Sequence, residues 1–261
     1  MTSTPAFATL NITVDDRVAI LEFARPNKLN ALSRQCLSEV ITASTWLGQQ
    51  SQIRVVIVRG QGRSFCSGFD LGDFAQADPN MSPRESGDLG RLATEALTNV
   101  PQITIAAIHG HCVGGGVVLA AACDLRIASD DARFAIPEVD LGIPLAWGGI
   151  PRLVREIGPA ATKELVLTCR PFDADEAKQL RFVNTVVPRV DLDAHVRNLA
   201  NSLVIKSSLV LRMIKAQVNA VTEEMIGTMH SISDTDSLVV ATHDHESRTA
   251  GAAYIESRKH R

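Results

Sequence analysis

The chain has 261 residues, of which 45% are hydrophobic and 21% are charged. Its 26 Lys and Arg residues against 29 Asp and Glu residues give a formal charge of −3, so a general nucleic-acid-binding surface is not expected. No apolar run reaches the length of a membrane-spanning helix, and the N-terminal residues lack the pattern of a signal peptide. The five cysteines include no CxxC pair, which indicates reduced thiols. These features predict a cytoplasmic globular protein without a membrane or nucleic-acid partner.

The first part of the chain predicts strands alternating with helices. Residues 10–24 alternate and then run apolar, which favours a β-hairpin turning at Asp15-Asp16. Ser33 is the predicted N-cap of the next helix, and residues 53–59 form a β-branched run typical of a buried strand. Residues 72–90 contain Gly, Pro, Asp and Ser and little periodic apolar content. We expect a mobile loop or lid there, followed by a helix.

A glycine-rich segment lies between a predicted strand and a predicted helix at the centre of the chain. Residues 103–108 are apolar and β-branched, whereas residues 117–123 are apolar with small side chains. Three glycines, Gly114, Gly115 and Gly116, occupy the junction and let backbone N–H groups approach a ligand. The first N–H groups of a helix have no partner inside that helix. We therefore expect one of them to stabilise a transient negative charge on a substrate oxygen.

The second half of the chain completes a repeated strand–strand–helix pattern. The predicted elements are strands at 125–128 and 133–136, a Gly- and Pro-rich loop at 137–149, helices at 150–157 and 160–168, a short helix capped by Asp173, a last strand at 182–187, and helices from 192 almost to the end. The pattern predicts an α/β protein. We divide it into a core domain at residues 1–200 and a C-terminal helical region at residues 201–261.

A second glycine-bearing turn follows the strand at 53–59. Two such turns after two strands are the arrangement that a two-donor oxyanion hole requires. Glu138, in the Pro- and Gly-framed loop downstream, could then act as a general acid or base. Each feature also has a plain structural alternative. The glycines could permit tight helix–strand packing, and Glu138 could be a surface carboxylate.

Several segments together resemble the crotonase, or enoyl-CoA hydratase/isomerase, superfamily. They are residues 25–32 (RPNKLNAL), 65–71 (FCSGFDL), 107–116 (AIHGHCVGGG), 123–124 (CD) and 137–143 (PEVDLGI), and they occur in the order and spacing of that family. The resemblance implies a spiral of ββα units with a C-terminal helical region used in trimer assembly. It also implies a homotrimer or homohexamer that acts on an acyl-CoA thioester, with no cofactor.

The resemblance also implies roles for individual residues. It assigns the backbone N–H groups of Phe69 and Gly115 to the oxyanion hole and makes Glu138 the acid/base. The implied CoA and acyl contacts are Lys28, Leu29, Ser67, Gly68, Asp70, Leu71 and Gly114, with Arg258 and Lys259 meeting the CoA phosphates. Trp147 either lines the acyl pocket or fills the core.

One position departs from the pattern of the family's hydratases. These enzymes typically carry two glutamates that hold a water molecule, and the two positions correspond to Val118 and Glu138 here. Valine cannot bind or deprotonate water. A single glutamate opposite an aliphatic residue resembles the Δ3,Δ2-enoyl-CoA isomerases, so double-bond isomerisation is the expected reaction. The alternatives are an enoyl-CoA hydratase with an unconventional water site and a non-catalytic acyl-CoA-binding protein.

Other reactive side chains have structural interpretations. Cys66 lies in no GxSxG elbow, so a packing role is expected. Residues 243–246 (HDHE) lie in a predicted helix, where neighbours point to different faces, so a solvated surface is expected rather than a metal site. Asp140 would share the side of Glu138 only if the segment were extended. Ala146 occupies the place of the aspartate nucleophile of the aryl-CoA dehalogenases, which disfavours that reaction.

Overall fold

The computed structural model describes residues 4–76 and 78–259. The strands are β1 (Leu10–Asp15), β2 (Val18–Phe23), β3 (Val55–Gly60), β4 (Ile103–Ile108), β5 (His111–Val113), β6 (Leu125–Ser129), β7 (Arg133–Ala135), β8 (Phe172–Asp173) and β9 (Thr185–Val187). The α-helices are α1 (Arg34–Gly48), α2 (Leu71–Ala75), α3 (Pro83–Thr98), α4 (Gly115–Ala121), α5 (Gly149–Thr168), α6 (Ala174–Gln179), α7 (Leu192–Val204), α8 (Ser208–Met225), α9 (Asp234–His243) and α10 (His245–Lys259). Short 3-10 helices cover Pro26–Lys28, Arg189–Asp191 and Thr228–Ser233.

The strands form two sheets, which confirms the α/β prediction. The larger sheet has the order β1-β2-β3-β4-β6-β9, with β1 and β2 antiparallel and the other neighbours parallel. The smaller sheet has the order β5-β7-β8. Along β3, Val56 and Val58 face the main core, whereas Val55 and Ile57 face α7. Because alternate residues point to opposite faces, a strand buried on both faces is apolar throughout, as the β-branched run predicted.

Local sequence signals fixed several element boundaries. The hydroxyl of Ser33 accepts a hydrogen bond from the Cys36 N–H at 3.1 Å and begins α1, as predicted. Asp173 likewise accepts from the Glu176 N–H at 2.9 Å and caps α6. Gly158, with φ 77°, divides α5 where two helical segments were expected. A positive φ of this size costs little free energy only for glycine, so the helix can be interrupted at Gly158.

The prediction of a loop or lid over residues 72–90 is wrong for most of that range. Helix α2 occupies its start, and α3 begins at Pro83, so residues 72–75 and 83–90 are helical. A capping box begins α3, because Ser82 accepts from the Glu85 N–H and the Glu85 carboxylate accepts from the Ser82 N–H. The last predicted strand is also shorter than expected, since β9 begins at Thr185.

The helices after residue 200 contact different parts of the protein. α9 packs against α3, and α10 packs against α9. The Lys215 ammonium anchors α8 by donating to Asp124 at 2.8 Å and to the Gln102 carbonyl at 2.9 Å. The proposed division at residue 200 falls within α7 and stays a prediction. Within residues 4–76 and 78–259, no helix is both long and apolar enough to cross a membrane.

Candidate active site

A cavity of about 310 Å³ brings together residues that lie far apart in the sequence. Its walls come from the segment before α2, from α3, α4 and α9, and from the loop at 137–149. Five of the lining residues carry the sequence argument: Phe69, Gly115, Val118, Glu138 and Trp147. The predicted oxyanion donors, the predicted base and Val118, the residue that differs from the hydratase pattern, therefore share one cavity.

The two glycine turns lie side by side because the chain segments before them are paired. The Phe65 N–H donates to the His109 carbonyl at 2.7 Å, and the Cys66 N–H donates to the His111 carbonyl at 2.9 Å. Gly68 then has a φ of 94° and lies so close to the other turn that a Cβ placed on it would be 2.9 Å from the Val113 carbonyl oxygen. A side chain at this position would separate the turns.

The directions of the two donor N–H groups are set by the hydrogen bonds of the preceding carbonyls. The Gly68 carbonyl accepts from the Leu32 N–H at 2.8 Å, and the Gly114 carbonyl accepts from the Val117 N–H at 2.8 Å. In a trans peptide the N–H points opposite to the carbonyl, so the next N–H groups, those of Phe69 and Gly115, point the other way. Within the described chain neither N–H donates to a protein acceptor. Two unpaired donors beside the same cavity are what an oxyanion hole requires.

Glu138 lies against the backbone of the second glycine turn. A Cβ placed on Gly114, which has a φ of 52°, would be 2.6 Å from Oε1 of Glu138. The Oε2 atom is buried and has no hydrogen-bond partner among the described residues. Burial raises the pKa of the Glu138 carboxyl from 4.5 to about 7. A carboxyl group with a pKa near 7 can both accept and return a proton at neutral pH.

Two apolar residues, Val118 and Ala146, share the cavity with Glu138. Val118 is 1% exposed and lines the cavity, as does Ala146. Asp140 is exposed, because the Ile143 N–H donates to the Glu138 carbonyl at 2.9 Å and the segment turns instead of extending. The extended arrangement that would have put Asp140 on the side of Glu138 is therefore absent, and no second carboxylate comes from this loop.

Trp147 lines the cavity and also fills space between α3 and α4. Its ring packs edge-on against Phe69, with centroids 5.7 Å apart and an interplanar angle of 90°. A Cβ on Gly90 would lie 1.9 Å from the Trp147 ring, and a Cβ on Gly115 would lie 2.3 Å from it. Trp147 itself has a φ of 63°. The sequence prediction did not single out Gly90, which fell at the end of the expected loop at 72–90.

The residues that the resemblance assigns to CoA nucleotide binding lie beside the cavity. The Ser67 N–H donates to the Leu29 carbonyl at 3.0 Å, and the Ser67 hydroxyl donates to the Lys28 carbonyl at 3.3 Å. Leu29 has a φ of 49°, and a left-handed conformation at a non-glycine residue often marks a functional segment. Leu71 begins α2 directly after this segment. CoA contact by these residues stays a prediction.

The Asp70 carboxylate is already bound within the protein. It pairs with the Arg25 guanidinium at 2.7 Å and accepts from the Gly72 N–H at 2.9 Å. Burial alone would raise the pKa of Asp70, but these hydrogen bonds outweigh burial and lower it. The side chain therefore fixes the turn after Phe69. The side chains of Arg258 and Lys259, the predicted phosphate contacts, lie outside the described part of the chain.

The remaining reactive side chains have structural roles. Cys66 accepts from the Gly68 N–H at 3.4 Å, and burial raises the pKa of its thiol to about 12, so it is a packing residue as expected. His109 is buried, and its Nε2 contacts the Gly62 carbonyl at 3.0 Å. Among the residues that the structure describes, no three His, Cys, Asp or Glu side chains are grouped to hold a metal ion.

The sequence also gave no indication that α9 reaches the cavity. Leu238, Val239 and Thr242 of this helix are lining residues. Their spacing places them on one helix face, but the segment lies about a hundred residues beyond the other lining residues in sequence. Only the packing of α9 against α3 brings this face to the cavity.

Comparisons with known proteins place the chain in a family. The family model described as enoyl-CoA hydratase/isomerase matches residues 13–261. A crotonyl-CoA hydratase of Syntrophomonas wolfei is 34% identical over 97% of both chains. A peroxisomal Δ(3,5)-Δ(2,4)-dienoyl-CoA isomerase of Arabidopsis thaliana is 38% identical over 77% of both. A solved structure of a probable enoyl-CoA hydratase from Mycobacterium smegmatis superposes with a TM-score of 0.79 at 31% identity, covering 90% of this chain and 95% of the other.

The family match extends over nearly the whole chain, and the Syntrophomonas wolfei relative covers 97% of it. The residues of the cavity fall inside the matched range, as do the segments that carried the resemblance. The fold, the two paired glycine turns and the sequence relationships lead to one assignment: the chain belongs to the enoyl-CoA hydratase/isomerase family of enzymes, within the crotonase superfamily.

Proposed function

We propose that the protein isomerises the double bond of an enoyl-CoA, with Glu138 as the proton carrier. The thioester oxygen accepts hydrogen bonds from the Phe69 and Gly115 N–H groups, which raises the acidity of the adjacent carbon. The Glu138 carboxylate removes a proton from that carbon, and the electron pair of the broken C–H bond moves onto the thioester oxygen, which gives an enolate conjugated with the C3–C4 double bond; protonation at C4 then moves the double bond to C2–C3. Glu138 then returns the proton two carbons further along. The proton is conserved, so the step requires no cofactor.

One observation carries this proposal: Oε2 of Glu138 is buried without a partner among the described residues, the pKa of this carboxyl is about 7, and apolar Val118 and Ala146 line the same cavity. Hydration needs a water molecule that is both held and activated. Isomerisation needs one base within reach of two carbons. The single carboxylate of Glu138 supports isomerisation, because that reaction needs only one base.

Hydration of a trans-2-enoyl-CoA is the second candidate. The hydratase names of several relatives, including the Syntrophomonas wolfei protein, support it. In that reaction Glu138 would deprotonate a water molecule without help from a second carboxylate at residue 118. Because the relatives are enzymes, they do not favour the non-catalytic acyl-CoA-binding alternative.

A matched pair of substrates tests the proposal. We would measure the turnover of a 3-enoyl-CoA and the hydration of the trans-2-enoyl-CoA of the same length. The expected result is isomerisation at least a hundredfold faster than hydration, and loss of isomerisation in Glu138→Gln with acyl-CoA affinity retained. Hydration as fast as isomerisation would contradict the proposal. A Val118→Glu variant tests the same argument in the opposite direction, since a second carboxylate should increase hydration relative to isomerisation.

We further propose that α8 assembles the protein into a homotrimer or homohexamer. Lys215 anchors α8 to the core, whereas much of the remaining helix surface carries apolar side chains that are between 51% and 74% exposed. These are Leu209, Val210, Met213, Ile214, Val218, Val221 and Met225. A contiguous exposed apolar face of this kind favours a protein interface. Light scattering should give a trimer or hexamer, and Ile214→Asp with Val218→Asp should give monomers. A monomeric wild-type protein would contradict this proposal.

We also propose a cytoplasmic location. All five cysteines are free and buried, which suits a reducing compartment.

A further inference from the structure

Helix α9 presents one face to the cavity and to α3. Thr235, Leu238, Val239 and Thr242 follow the i, i+3, i+4, i+7 spacing of a single helix face. Thr235 is 2% exposed, and the other three line the cavity. Val240, on the same helix, is 71% exposed and is not a lining residue. The helix therefore has an inner face that meets the cavity and an outer face that does not.

The close approach of α9 to α3 depends on Gly87. A Cβ placed on Gly87 would lie 2.8 Å from Cγ2 of Thr235 and 3.4 Å from Cδ2 of Leu238. Both Gly87 and Leu238 also line the cavity. The contact between the two helices is thus part of the cavity wall, and the Leu238 side chain lies over the gap that the glycine leaves.

The start of α9 is fixed to the rest of the site. The Asp234 carboxylate accepts from the Gly148 N–H at 2.9 Å, directly after Trp147 in the chain. Asp236 pairs with Arg84 of α3. One bond ties α9 to the loop that carries Trp147 and the other ties it to α3, so the wall is attached at two places.

The cavity volume bounds the acyl group that fits. A cavity of about 150 Å³ holds benzene, which has six carbon atoms. The cavity of about 310 Å³ therefore has room for roughly a dozen carbon-sized atoms. This volume is at the lower end of the range for small-molecule sites, about 300–1,000 Å³. Part of it must hold the thioester group, which leaves room for an acyl group of about ten carbons.

We propose that α9 forms the length-limiting wall of the acyl site and that Leu238, packed over Gly87, sets the longest chain that the enzyme accepts, at about ten carbons. This inference rests on the proposed acyl-CoA function. Leu238→Ala removes about three carbon atoms from the wall and should extend the accepted chain by two or three carbons. Val240→Ala removes apolar atoms from the same helix but outside the cavity, so it is the matched control.

The test is a chain-length series. We would measure kcat/KM for 3-enoyl-CoAs from six to sixteen carbons with the wild type, Leu238→Ala and Val240→Ala. The wild-type value should fall at least tenfold beyond about ten carbons. The fall should move to longer chains in Leu238→Ala and stay in place in Val240→Ala. Equal values for eight and sixteen carbons in the wild type, or the same profile in Leu238→Ala, would overturn the inference.

A binding series separates this inference from the proposed function. If the wild type turned over no enoyl-CoA of any length, the proposed function would fail. Calorimetric titration with saturated acyl-CoAs of the same lengths would then test the wall alone. A maximum in affinity near eight to ten carbons that moves to longer chains in Leu238→Ala would support it. Affinity independent of length, or unchanged by Leu238→Ala, would refute it.

Discussion

Replacing Glu138 by glutamine should abolish activity and, at alkaline pH, stabilise the fold. The carboxyl group is buried with Oε2 unpartnered, and burial raises its pKa from 4.5 to about 7. The folded protein therefore favours the protonated form, and ionisation of Glu138 destabilises the folded state. Glutamine has a similar shape and carries no charge at any pH in this range. Loss of function and gain of stability should then appear in one variant.

The size of the effect follows from the two pKa values. A separation of about 2.5 pH units between 4.5 and about 7 corresponds to about 3 kcal/mol at most, at about 1.4 kcal/mol per unit. Below pH 4.5 the group is protonated in both states and contributes nothing. Between pH 4.5 and 7 the folded state binds more protons than the unfolded state, so its stability falls as the pH rises. Above pH 7 the full cost is present.

Thermal unfolding of the wild type and Glu138→Gln at pH 5 and pH 8 measures this difference. For a chain of this size about 1 kcal/mol shifts the Tm by roughly 2–4 °C. The Tm of the variant relative to the wild type should therefore be higher at pH 8 than at pH 5, by up to roughly 6–10 °C. Effects of the buried amide that do not depend on pH cancel in this comparison.

Asp140→Asn is the matched control, since it removes a carboxylate from the same loop at an exposed position. It should leave the pH dependence of the Tm as in the wild type. A Tm difference for Glu138→Gln that is the same at both pH values would refute the reasoning, because the carboxyl would then not be destabilised by burial. The kcat/KM of the wild type should also fall as the pH drops through about 7, since the base must be ionised.

Three further results are expected. Gly90→Ala should lower the Tm by several degrees in scanning fluorimetry, because its Cβ would lie 1.9 Å from the Trp147 ring, whereas Gly48→Ala, whose nearest neighbour is 3.7 Å away, should change it little. Fewer than one thiol per chain should react with Ellman's reagent in the native protein, and all five should react in denaturant, because the cysteines are buried. Arg25→Met should lower kcat/KM by roughly tenfold, about 1.4 kcal/mol, by releasing Asp70 beside the oxyanion turn; an unchanged value would contradict this role.

Much of the framework was predictable from short-range signals. Ser33 and Asp173 mark helix starts with side chains that satisfy backbone N–H groups, and the apolar β-branched runs mark strands buried on both faces. The position of Glu138 beside Gly114 was not predictable from spacing. It follows from pairing between chain segments, and the family resemblance supplied it. The predicted helix caps at Ser33 and Asp173 depend only on interactions within a few residues, and both are confirmed.

The errors have identifiable physical causes. The stretch at 72–90 contains turn-forming residues, but Ser82 and Glu85 satisfy each other's N–H groups and begin a helix that buries Leu89 against the core. Asp140 would lie on the side of Glu138 only in an extended backbone, and the hydrogen bond from the Ile143 N–H to the Glu138 carbonyl prevents that conformation. The contribution of α9 could not be predicted, since contacts between distant helices leave no periodic signal in either segment alone.

The difference between hydration and isomerisation follows from the surroundings of one carboxylate. A second carboxylate at residue 118 would hold a water molecule beside Glu138. Valine removes that binding site and keeps the region apolar, and burial in such surroundings is what raises the pKa of Glu138 to about 7. A base of that strength is matched to a carbon acid whose enolate is stabilised by two N–H donors. In the proposed isomerisation, Val118 would leave no second carboxylate to hold a water molecule beside Glu138, and the burial that raises the pKa of Glu138 would both lower the stability of the fold and strengthen the base.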